Sequence, residues 1–208
     1  MARKTGSSGE KTKAELRAAA TRLYARYGCA AVSVRQLAAE VGVQAGAVYL
    51  YFDDKQALLY DLLDTHLTAL AEAWEKASRV PLDDPLARLE RFICFHLRWH
   101  LVRKDAVFIS YMELRNLTPE NFARIEAKRH AYEDVLDGIL RDGVARGTFR
   151  LADTRMGVFA ILGQLNGVNV WYKEGGRLSL DALCAVQMDM VRGLVGMNSQ
   201  RELVQAAQ

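Results

Sequence analysis

Two histidines spaced four residues apart are the first candidates for chemistry in this sequence. His96 and His100 share one face of a helix that the apolar pattern predicts over residues 86–103. Two imidazoles so placed can bind a metal ion together, but no cysteine or carboxylate at the spacing of a zinc enzyme accompanies them. Two other interpretations are open: hydrogen-bonded core histidines, or polar groups that line an apolar ligand cavity. We expect no metal site.

The motifs of common enzymes are missing from the sequence. It contains no GxSxG, HExxH, P-loop or GxGxxG in a suitable context, and no cysteine, histidine and aspartate close together along the chain. Distant residues can still assemble a catalytic site, so an enzyme is the less favoured alternative. We expect no catalytic residue and no cofactor.

A group of polar residues near the N-terminus has the chemistry needed to contact DNA. Ser33 and the backbone amides after it can hold a phosphate, and Arg35 can reach a base edge, most often guanine. The Tyr49 hydroxyl can donate to a phosphate, or the ring can be a packing residue. Lys55 begins a helix, where its charge and the helix dipole both favour a phosphate.

A second group begins a short helix predicted over residues 44–51. Near the N-terminus of a helix that enters the major groove, side chains face bases. Gln44 can pair with adenine there, and the methyl groups of Ala45 and Ala47 can contact thymine. Gly46 allows the backbone to approach DNA closely. Together the two groups predict a surface that reads double-stranded DNA.

Three short helices have to position these residues. The first is predicted over residues 12–27 and is followed by Gly28, which suits a left-handed C-cap. A capping box at 33–36 opens the second helix, and Gly42 ends it with a sharp turn before the third. This arrangement predicts a helix-turn-helix, whose core we expect to contain Val34, Leu37, Val41, Val48, Tyr51 and Phe52.

Positive charge is concentrated at the same end of the chain. The net charge is only +3, yet residues 1–35 contain eight basic and two acidic side chains. A basic end on a near-neutral body favours a polyanion as partner, although a solvated basic tail is the alternative.

The composition indicates a helical protein with a sizeable core. Of the 208 residues, 50% are hydrophobic and 25% charged, which excludes wholesale disorder. No apolar run is long enough to span a membrane and no secretory signal is evident, so we expect no membrane partner. The three cysteines are far apart and form no disulfide framework, which is typical of a cytoplasmic protein.

The remaining pattern predicts an all-α fold of about nine helices without a convincing strand. Helix starts are signalled at Thr118-Pro119, Asp153 and Ser179. We expect a disordered basic arm at 1–10, a DNA-binding domain at 11–55 and a larger helical domain at 56–208.

Residues 12–60 resemble the DNA-binding domain of the tetracycline-repressor (TetR) family of bacterial transcription regulators. The resemblance rests on the segments 33–38, 41–43, 46–52 and 55–59, above all on the Tyr-x-Tyr-Phe run followed by lysine. Family members usually carry Ser-Lys or a similar pair where this chain has Gln44-Ala45. They commonly have threonine where it has Ala47, and histidine where it has Leu50. The operator sequence therefore cannot be borrowed from relatives.

The C-terminal half resembles one subtype of the same family. The segments 115–120, 162–167 and 175–179 are similar to regulators of fatty-acid, sterol or branched-chain catabolism, several of which answer to acyl-CoA thioesters. The resemblance implies a ligand-binding and dimerisation domain.

The same resemblance implies that the last two helices pair with their twins in a homodimer. Gly157, Gly163 and Gly167 are costly in a helix interior, at about 1 kcal/mol each, and their presence favours close approach of another helix. The alternative is that both helices belong to the core of one chain. A dimer fits a near-palindromic operator, since its two recognition helices reach successive major-groove faces.

Candidate effector-binding residues lie on several of the predicted helices. They are His96, Trp99, His100, Tyr111, Met112, Arg115, Tyr132 and Trp171. Taken singly, five of them fit an ordinary packing or surface residue better: Trp99, Tyr111, Met112, Arg115 and Tyr132. Nearby cations suit a CoA phosphate or a solvated helix face: Arg103, Lys104, Arg115, Lys128 and Arg129.

Together these features predict a ligand-responsive dimeric repressor that a small molecule releases from its operator. An acyl-CoA thioester is the favoured effector class, and an efflux-type regulator that senses hydrophobic drug-like compounds is the alternative. A sequence-independent DNA-coating protein is disfavoured, because it would need a wider positive surface.

Overall fold

The computed structural model describes the backbone of residues 5–197 and the side chains of residues 9–197. Within that range it contains nine α-helices, one 3-10 turn and no strand, which confirms the all-α prediction. None of the described helices is long and apolar enough to cross a membrane. The helices are α1 (Thr5–Tyr27), α2 (Val34–Val41), α3 (Ala45–Val48), α4 (Lys55–Ser78), α5 (Pro85–Leu101), α6 (Lys104–Met112), α7 (Pro119–Ala145), α8 (Thr154–Trp171) and α9 (Leu180–Leu194), with the 3-10 turn at Leu114–Asn116.

The described helices form two compact units. The first contains α1 to α3, the part of α4 up to Ala69, α6 and the part of α7 up to Lys128. The second contains the rest of α4, α5, the rest of α7, α8 and α9. The compact unit that holds the helix-turn-helix thus extends beyond residue 55, because α6 packs against α1.

The first helix begins earlier than the sequence predicts. α1 starts at Thr5, whereas residues 1–10 were expected to be a disordered arm. An existing helix can extend into a polar segment, because each added residue gains a hydrogen bond without a new nucleus. Gly9 also passes close to the ring of Tyr51, so the segment has a neighbour to pack against. Residues 1–4 lie outside the described residues.

Capping residues explain most of the other helix starts. The Asp84 side chain accepts hydrogen bonds from the amides of Leu86 and Ala87, and Pro85 is the first helical residue of α5. Asp153 and Ser179 cap α8 and α9 in the same way, as predicted. Asp54 accepts the Ala57 amide at 2.7 Å at the start of α4.

The core of the second unit is built around α5, which packs against α8 and α9. Leu89, Phe92 and Ile93 on α5 are fully buried, as are Ile161 on α8 and Leu183 on α9. Burial of each such side chain stabilises the folded state by about 1.5–3 kcal/mol. Because both α8 and α9 contribute to this burial, α5 is fixed on two sides. This matters because α5 also carries His96 and His100.

Candidate functional site

The N-terminus of α2 has the predicted capping box. Ser33 is extended (φ −88°, ψ 156°), and its Oγ accepts the Gln36 amide at 3.2 Å. In return, Gln36 Oε1 accepts the Ser33 amide at 2.8 Å. The cap confirms the structural role of Ser33, and it leaves the residue exposed at the beginning of a helix, where helix-terminal amides favour an anion.

The turn between α2 and α3 depends on a left-handed glycine. Gly42 has a φ of +75°, and its amide and that of Val43 donate to the carbonyls of Ala39 and Ala38, at 3.2 and 2.9 Å. These two bonds form a helix C-cap of the Schellman type. The chain therefore makes a tight turn after α2, and α3 follows after Gln44, as a helix-turn-helix requires.

The third helix is shorter than predicted. α3 spans only Ala45–Val48, with Gln44 as its N-cap, whereas the sequence predicted 44–51. Beyond Val48 the chain tightens: the amides of Leu50 and Tyr51 donate to carbonyls three residues back, at 3.3 and 3.0 Å. The helical pattern thus continues as successive turns rather than as an α-helix.

Most of the predicted DNA-contacting side chains are exposed around α2 and α3. Ser33, Arg35, Gln44, Gly46 and Tyr49 are exposed, and Arg35 has no hydrogen-bond or ion-pair partner among the described residues. A long cationic side chain on a surface with no partner is available to an external anion.

Three of the predicted residues are less accessible. Ala45, Ala47 and Lys55 are half-buried. Lys55 donates to the carbonyl of Ala30 at 3.3 Å, so a phosphate at this position would compete with the α1–α2 loop. Leu37, Val48 and Phe52 are buried beneath the surface, as predicted, whereas Val34, Val41 and Tyr51 are only half-buried.

Leu50 belongs to this surface although the sequence did not single it out as a contact. Its side chain is 81% exposed, next to Tyr49 at 54%. An apolar residue with so much exposure has no role in the core. Helical periodicity places Leu50 on the outer face, but leucine is most often buried, so its residue type favoured the core.

A buried carboxylate supports the corner between α1 and α2. Glu113, which follows α6, is 4% exposed, and its Oε2 accepts the Cys29 amide at 3.2 Å and the Asn116 side-chain amide at 2.5 Å. Cys29 follows Gly28, whose φ of +81° ends α1 as predicted. The sequence offered no signal for this contact, because Glu113 and Cys29 are far apart along the chain.

The start of α4 is tied to the same region. The Gln56 side-chain amide donates to the carbonyl of Asn116, and the Thr118 amide donates to Gln56 Oε1 at 3.1 Å. In the first unit, the segment after α6 therefore holds both the end of α1 and the beginning of α4, between which the helix-turn-helix lies.

In the second unit, His96 is the centre of a buried polar cluster. Its Nε2 lies 3.0 Å from Asn166 Oδ1 and its Nδ1 3.3 Å from the Tyr132 hydroxyl. The amide oxygen can only accept, so Nε2 donates and Nδ1 accepts from Tyr132. Burial lowers the pKa of His96 to about 4, so the ring is neutral at pH 7.

His100 stacks on His96 and does not extend toward a shared metal. The two ring centroids are 3.7 Å apart with an interplanar angle of 14°, and His100 Nδ1 donates to the His96 carbonyl at 2.8 Å. Among the described residues, no three His, Cys, Asp or Glu side chains lie close enough to hold a metal ion. Both ring nitrogens of His96 are already in hydrogen bonds.

The structure divides the other predicted effector residues into three places. Trp99 and Tyr132 are buried in the second unit with His96. Tyr111, Met112 and Arg115 belong to the first unit.

Trp171, at the end of α8, is 54% exposed and lines a separate open cleft of about 290 Å³ with Lys173 and Arg177. Asn166 joins the His96 cluster although the sequence did not mark it as a site residue.

The last two helices carry an exposed apolar face. Its exposed members on α8 and α9 are Met156, Phe159, Val170, Trp171, Val186 and Met190. A Cβ added at Gly163 or Gly167 would meet nothing within 4 Å, whereas one at Gly157 would meet Leu140 and Leu151 at 3.2 and 3.1 Å. Gly157 therefore serves packing within the chain, while the other two are open.

Comparisons with known proteins cover nearly the whole of the described chain. Residues 16–62 match the model described as bacterial regulatory proteins, tetR family, and residues 82–195 match the tetracyclin repressor-like, C-terminal domain. The HTH-type transcriptional repressor KstR2 of Rhodococcus jostii is 28% identical over 90% of this chain and 91% of its own.

Two further similarities agree with these matches. The fatty acid metabolism regulator protein of Bacillus subtilis is 25% identical over 79% of this chain and 86% of its own. The crystal structure of a tetR-family regulatory protein from Rhodococcus RHA1 superposes with a TM-score of 0.84, at 26% identity, over 91% of this chain and 99% of that one.

Proposed function

The chain belongs to the tetracycline-repressor family of DNA-binding transcription regulators, which are not enzymes, and we propose that it is a dimeric repressor that a small molecule releases from its operator. One observation carries the DNA-binding part of this proposal. Four of the predicted contact residues are exposed on α2, on α3 and at the two ends of α3: Arg35, Gln44, Gly46 and Tyr49. The Ser33 capping box and the Gly42 turn fix the two ends of α2. Such a surface suits the major groove.

The exposed apolar face of α8 and α9 supports a homodimer. Large contiguous apolar surface on a soluble protein usually marks an interaction site. We propose that a second copy covers this face with its own α8 and α9, in a two-fold arrangement. Two recognition helices about 34–36 Å apart would then meet half-sites one turn apart on a near-palindromic operator.

The His96 cluster supports an effector site in the second unit. Neutral polar groups surrounded by aromatic side chains can orient one polar group of an otherwise apolar ligand. We propose an acyl-CoA thioester as the effector class. The curated relative named a fatty acid metabolism regulator protein supports this choice, as does the subtype resemblance of the C-terminal half.

A hydrophobic drug-like compound is the second candidate effector. The buried aromatic side chains around the two histidines favour it, because Phe92 and Tyr132 lie beside His96, and Trp99 lies beside His100. In this alternative, ring stacking and apolar burial would dominate recognition, and no CoA group would be needed for binding.

Effector binding can act on DNA only through a difference in affinity between two conformations. We propose that the segment after α6 transmits that difference, since Glu113 and Asn116 hold the end of α1 and the start of α4. A displacement of this segment would shift the corner that supports α2 and α3.

The experiment that tests the proposal measures DNA binding by fluorescence anisotropy at fixed salt. The probe is labelled DNA from the protein's own upstream region, with a scrambled duplex of the same composition as control. We expect selective binding that a long- or branched-chain acyl-CoA reverses and free CoA does not. Equal affinity for both duplexes would overturn the regulator proposal, and release by hydrophobic drugs alone would favour the second effector class.

A matched variant tests the effector site. We expect His96→Ala to weaken the response to the releasing acyl-CoA while the effector-free protein binds the upstream DNA as before. An unchanged effector response would return His96 to a purely structural role. Circular dichroism at each step keeps unfolding apart from loss of binding.

A further inference from the structure

Two of the three cysteines meet between α5 and α9. Cys94 lies on α5 and Cys184 on α9, both are free thiols, and each thiol is the strongest single influence on the pKa of the other. Cys184 is buried and Cys94 half-buried, so Cys94 is the more exposed residue of the two. The third cysteine, Cys29, lies in the first unit.

An exposed ion pair joins the two helices beside the thiols. Arg98, one turn after Cys94, pairs with Asp181, one turn before Cys184. The two contacts lie side by side across the same helix pair, and α5 packs directly on α9. A disulfide needs Cα atoms about 4.4–6.8 Å apart and a sulfur–sulfur distance of about 2.05 Å. Because the ion pair and the helix packing place Cys94 and Cys184 across the same helix pair, we expect the two thiols to meet this requirement with small side-chain movements.

The surroundings make the two sulfurs unequal. The hydrogen bond with Cys184 lowers the pKa of the Cys94 thiol to about 7, against partial burial and the nearby Glu90, while Arg98 lowers it and Asp181 raises it. The same hydrogen bond and burial raise the pKa of Cys184. Since the thiolate is the nucleophile, Cys94, which is the more exposed of the two and has the lowered pKa, is the candidate for the attacking sulfur, and Cys184 for the resolving one.

We propose that Cys94 and Cys184 form a peroxide-sensitive thiol pair that closes into a disulfide between α5 and α9. The Cys94 thiolate attacks one oxygen of hydrogen peroxide, the O–O bond breaks and hydroxide leaves, so that Cys94 becomes a sulfenic acid. The Cys184 sulfur, on losing its proton, attacks the Cys94 sulfur. The S–S bond forms, the S–O bond breaks and the second oxygen leaves as water. The thiols lose two electrons, which reduce the peroxide.

The cross-link would make the second unit sensitive to oxidation, because Cys94 lies on α5, the helix that also carries His96. It closes a long loop of chain, which stabilises the folded state relative to the unfolded one. We expect the oxidised protein to melt several degrees higher than the reduced protein and the amides of α5 to exchange more slowly, with both effects reversed by dithiothreitol.

The test treats the reduced full-length chain with hydrogen peroxide and follows free thiols, melting temperature and cross-linked peptides by non-reducing mass spectrometry. We expect two thiols to disappear and a Cys94–Cys184 peptide pair to form within one chain. Cys29→Ala is the matched control and should behave as the unsubstituted chain does. Absence of the cross-linked peptide, or a melting temperature unmoved by its formation, would overturn the proposal.

Two single variants separate the attacking from the resolving sulfur. Cys94→Ser should keep both remaining thiols under the same treatment. Cys184→Ala should stop at the sulfenic acid, which dimedone traps, and the pH midpoint of its oxidation rate should rise from near 7 toward the value of about 8.5 of a free thiol. Equal oxidation of Cys94→Ser, or an unmoved midpoint in Cys184→Ala, would contradict the assigned roles. Circular dichroism shows whether each variant is folded.

Discussion

His96 illustrates how the surroundings of a single residue select among several chemistries. In the sequence, an HxxxH pair favours a hydrogen-bonded core or a ligand cavity over a metal site. In the structure, Asn166 and Tyr132 engage both ring nitrogens of His96, and His100 donates to its backbone carbonyl. A fully hydrogen-bonded neutral imidazole can present its polarity to a ligand only by exchanging one of these partners.

The first prediction concerns stability and pH. The pKa of His96 lies near 4 in the folded chain, whereas an unfolded histidine titrates near 6.5. The unfolded state therefore takes up a proton as pH falls through 6.5, while the folded state does so only near 4. Stability should fall across this window, by about 3 kcal/mol at most from this group.

Urea unfolding at pH 7, 6, 5 and 4.5 measures the effect. In His96→Asn the titrating group is gone, so the fall between pH 7 and 4.5 should be smaller than in the unsubstituted chain. His66, in the first unit, is also buried with a pKa lowered to about 4, and it should retain its own share of the slope. Parallel curves for the two proteins would contradict the prediction.

A second prediction at this scale concerns base reading by Arg35. We expect Arg35→Ala to weaken operator binding by about 1–3 kcal/mol and to relax specificity at one base pair. Arg124→Ala is the matched control, because Arg124 is exposed on α7 and pairs within its own helix with Glu120. An equal loss on scrambled DNA would reduce Arg35 to a phosphate contact.

At the scale of helices, the helix-turn-helix separates a glycine needed for the fold from one expected to serve DNA binding. Gly42 has a positive φ and ends α2, whereas Gly46 lies inside α3 with ordinary helical geometry. A Cβ added at either position would meet nothing within 4 Å. Any cost of alanine therefore comes from backbone conformation at Gly42 and from the approaching DNA at Gly46.

This contrast yields a paired prediction. Gly42→Ala should destabilise the chain by about 1 kcal/mol or more, because alanine in the left-handed region is strained. Gly46→Ala should be neutral or stabilise α3 by up to about 1 kcal/mol, yet weaken operator binding. Thermal melts and anisotropy titrations measure both. Unweakened operator binding in Gly46→Ala would argue against close backbone approach there.

At the scale of the whole molecule, the apolar face of α8 and α9 is the feature that a single chain leaves unexplained. Val170 is 89% exposed, and open glycines lie between it and Phe159. Exposure of such apolar side chains to water is unfavourable, and covering them with another surface stabilises the molecule. The proposed two-fold dimer would cover them, and it would also set the distance between the two DNA-reading surfaces.

The corresponding prediction uses charge to separate the subunits. Phe159→Glu should shift the protein toward monomer in sedimentation velocity and weaken operator binding at least tenfold at low concentration, since half-sites would be bound singly. Val80→Glu, at an exposed apolar residue in the loop between α4 and α5, is the matched control. A dimer that persists in Phe159→Glu would move the interface elsewhere.

The sequence by itself determined the all-α class, the capped start of α2, the glycine that ends it and most helix starts, because these depend on neighbours a few residues apart. It also carried the family through local motifs in α2 and α3. Its errors were local too: a polar segment expected to be disordered continues α1, and the end of α3 tightens into turns.

Only the tertiary structure decided which distant residues meet. The contact of Glu113 with the end of α1, the enclosure of His96 by Tyr132 and Asn166, and the packing of α5, which carries Cys94, on α9, which carries Cys184, each join residues far apart in sequence. No periodicity encodes such contacts, since a helical pattern specifies which face is apolar but not which helix covers it. Packing makes that choice, and with it decides which histidines, carboxylates and thiols share their chemistry.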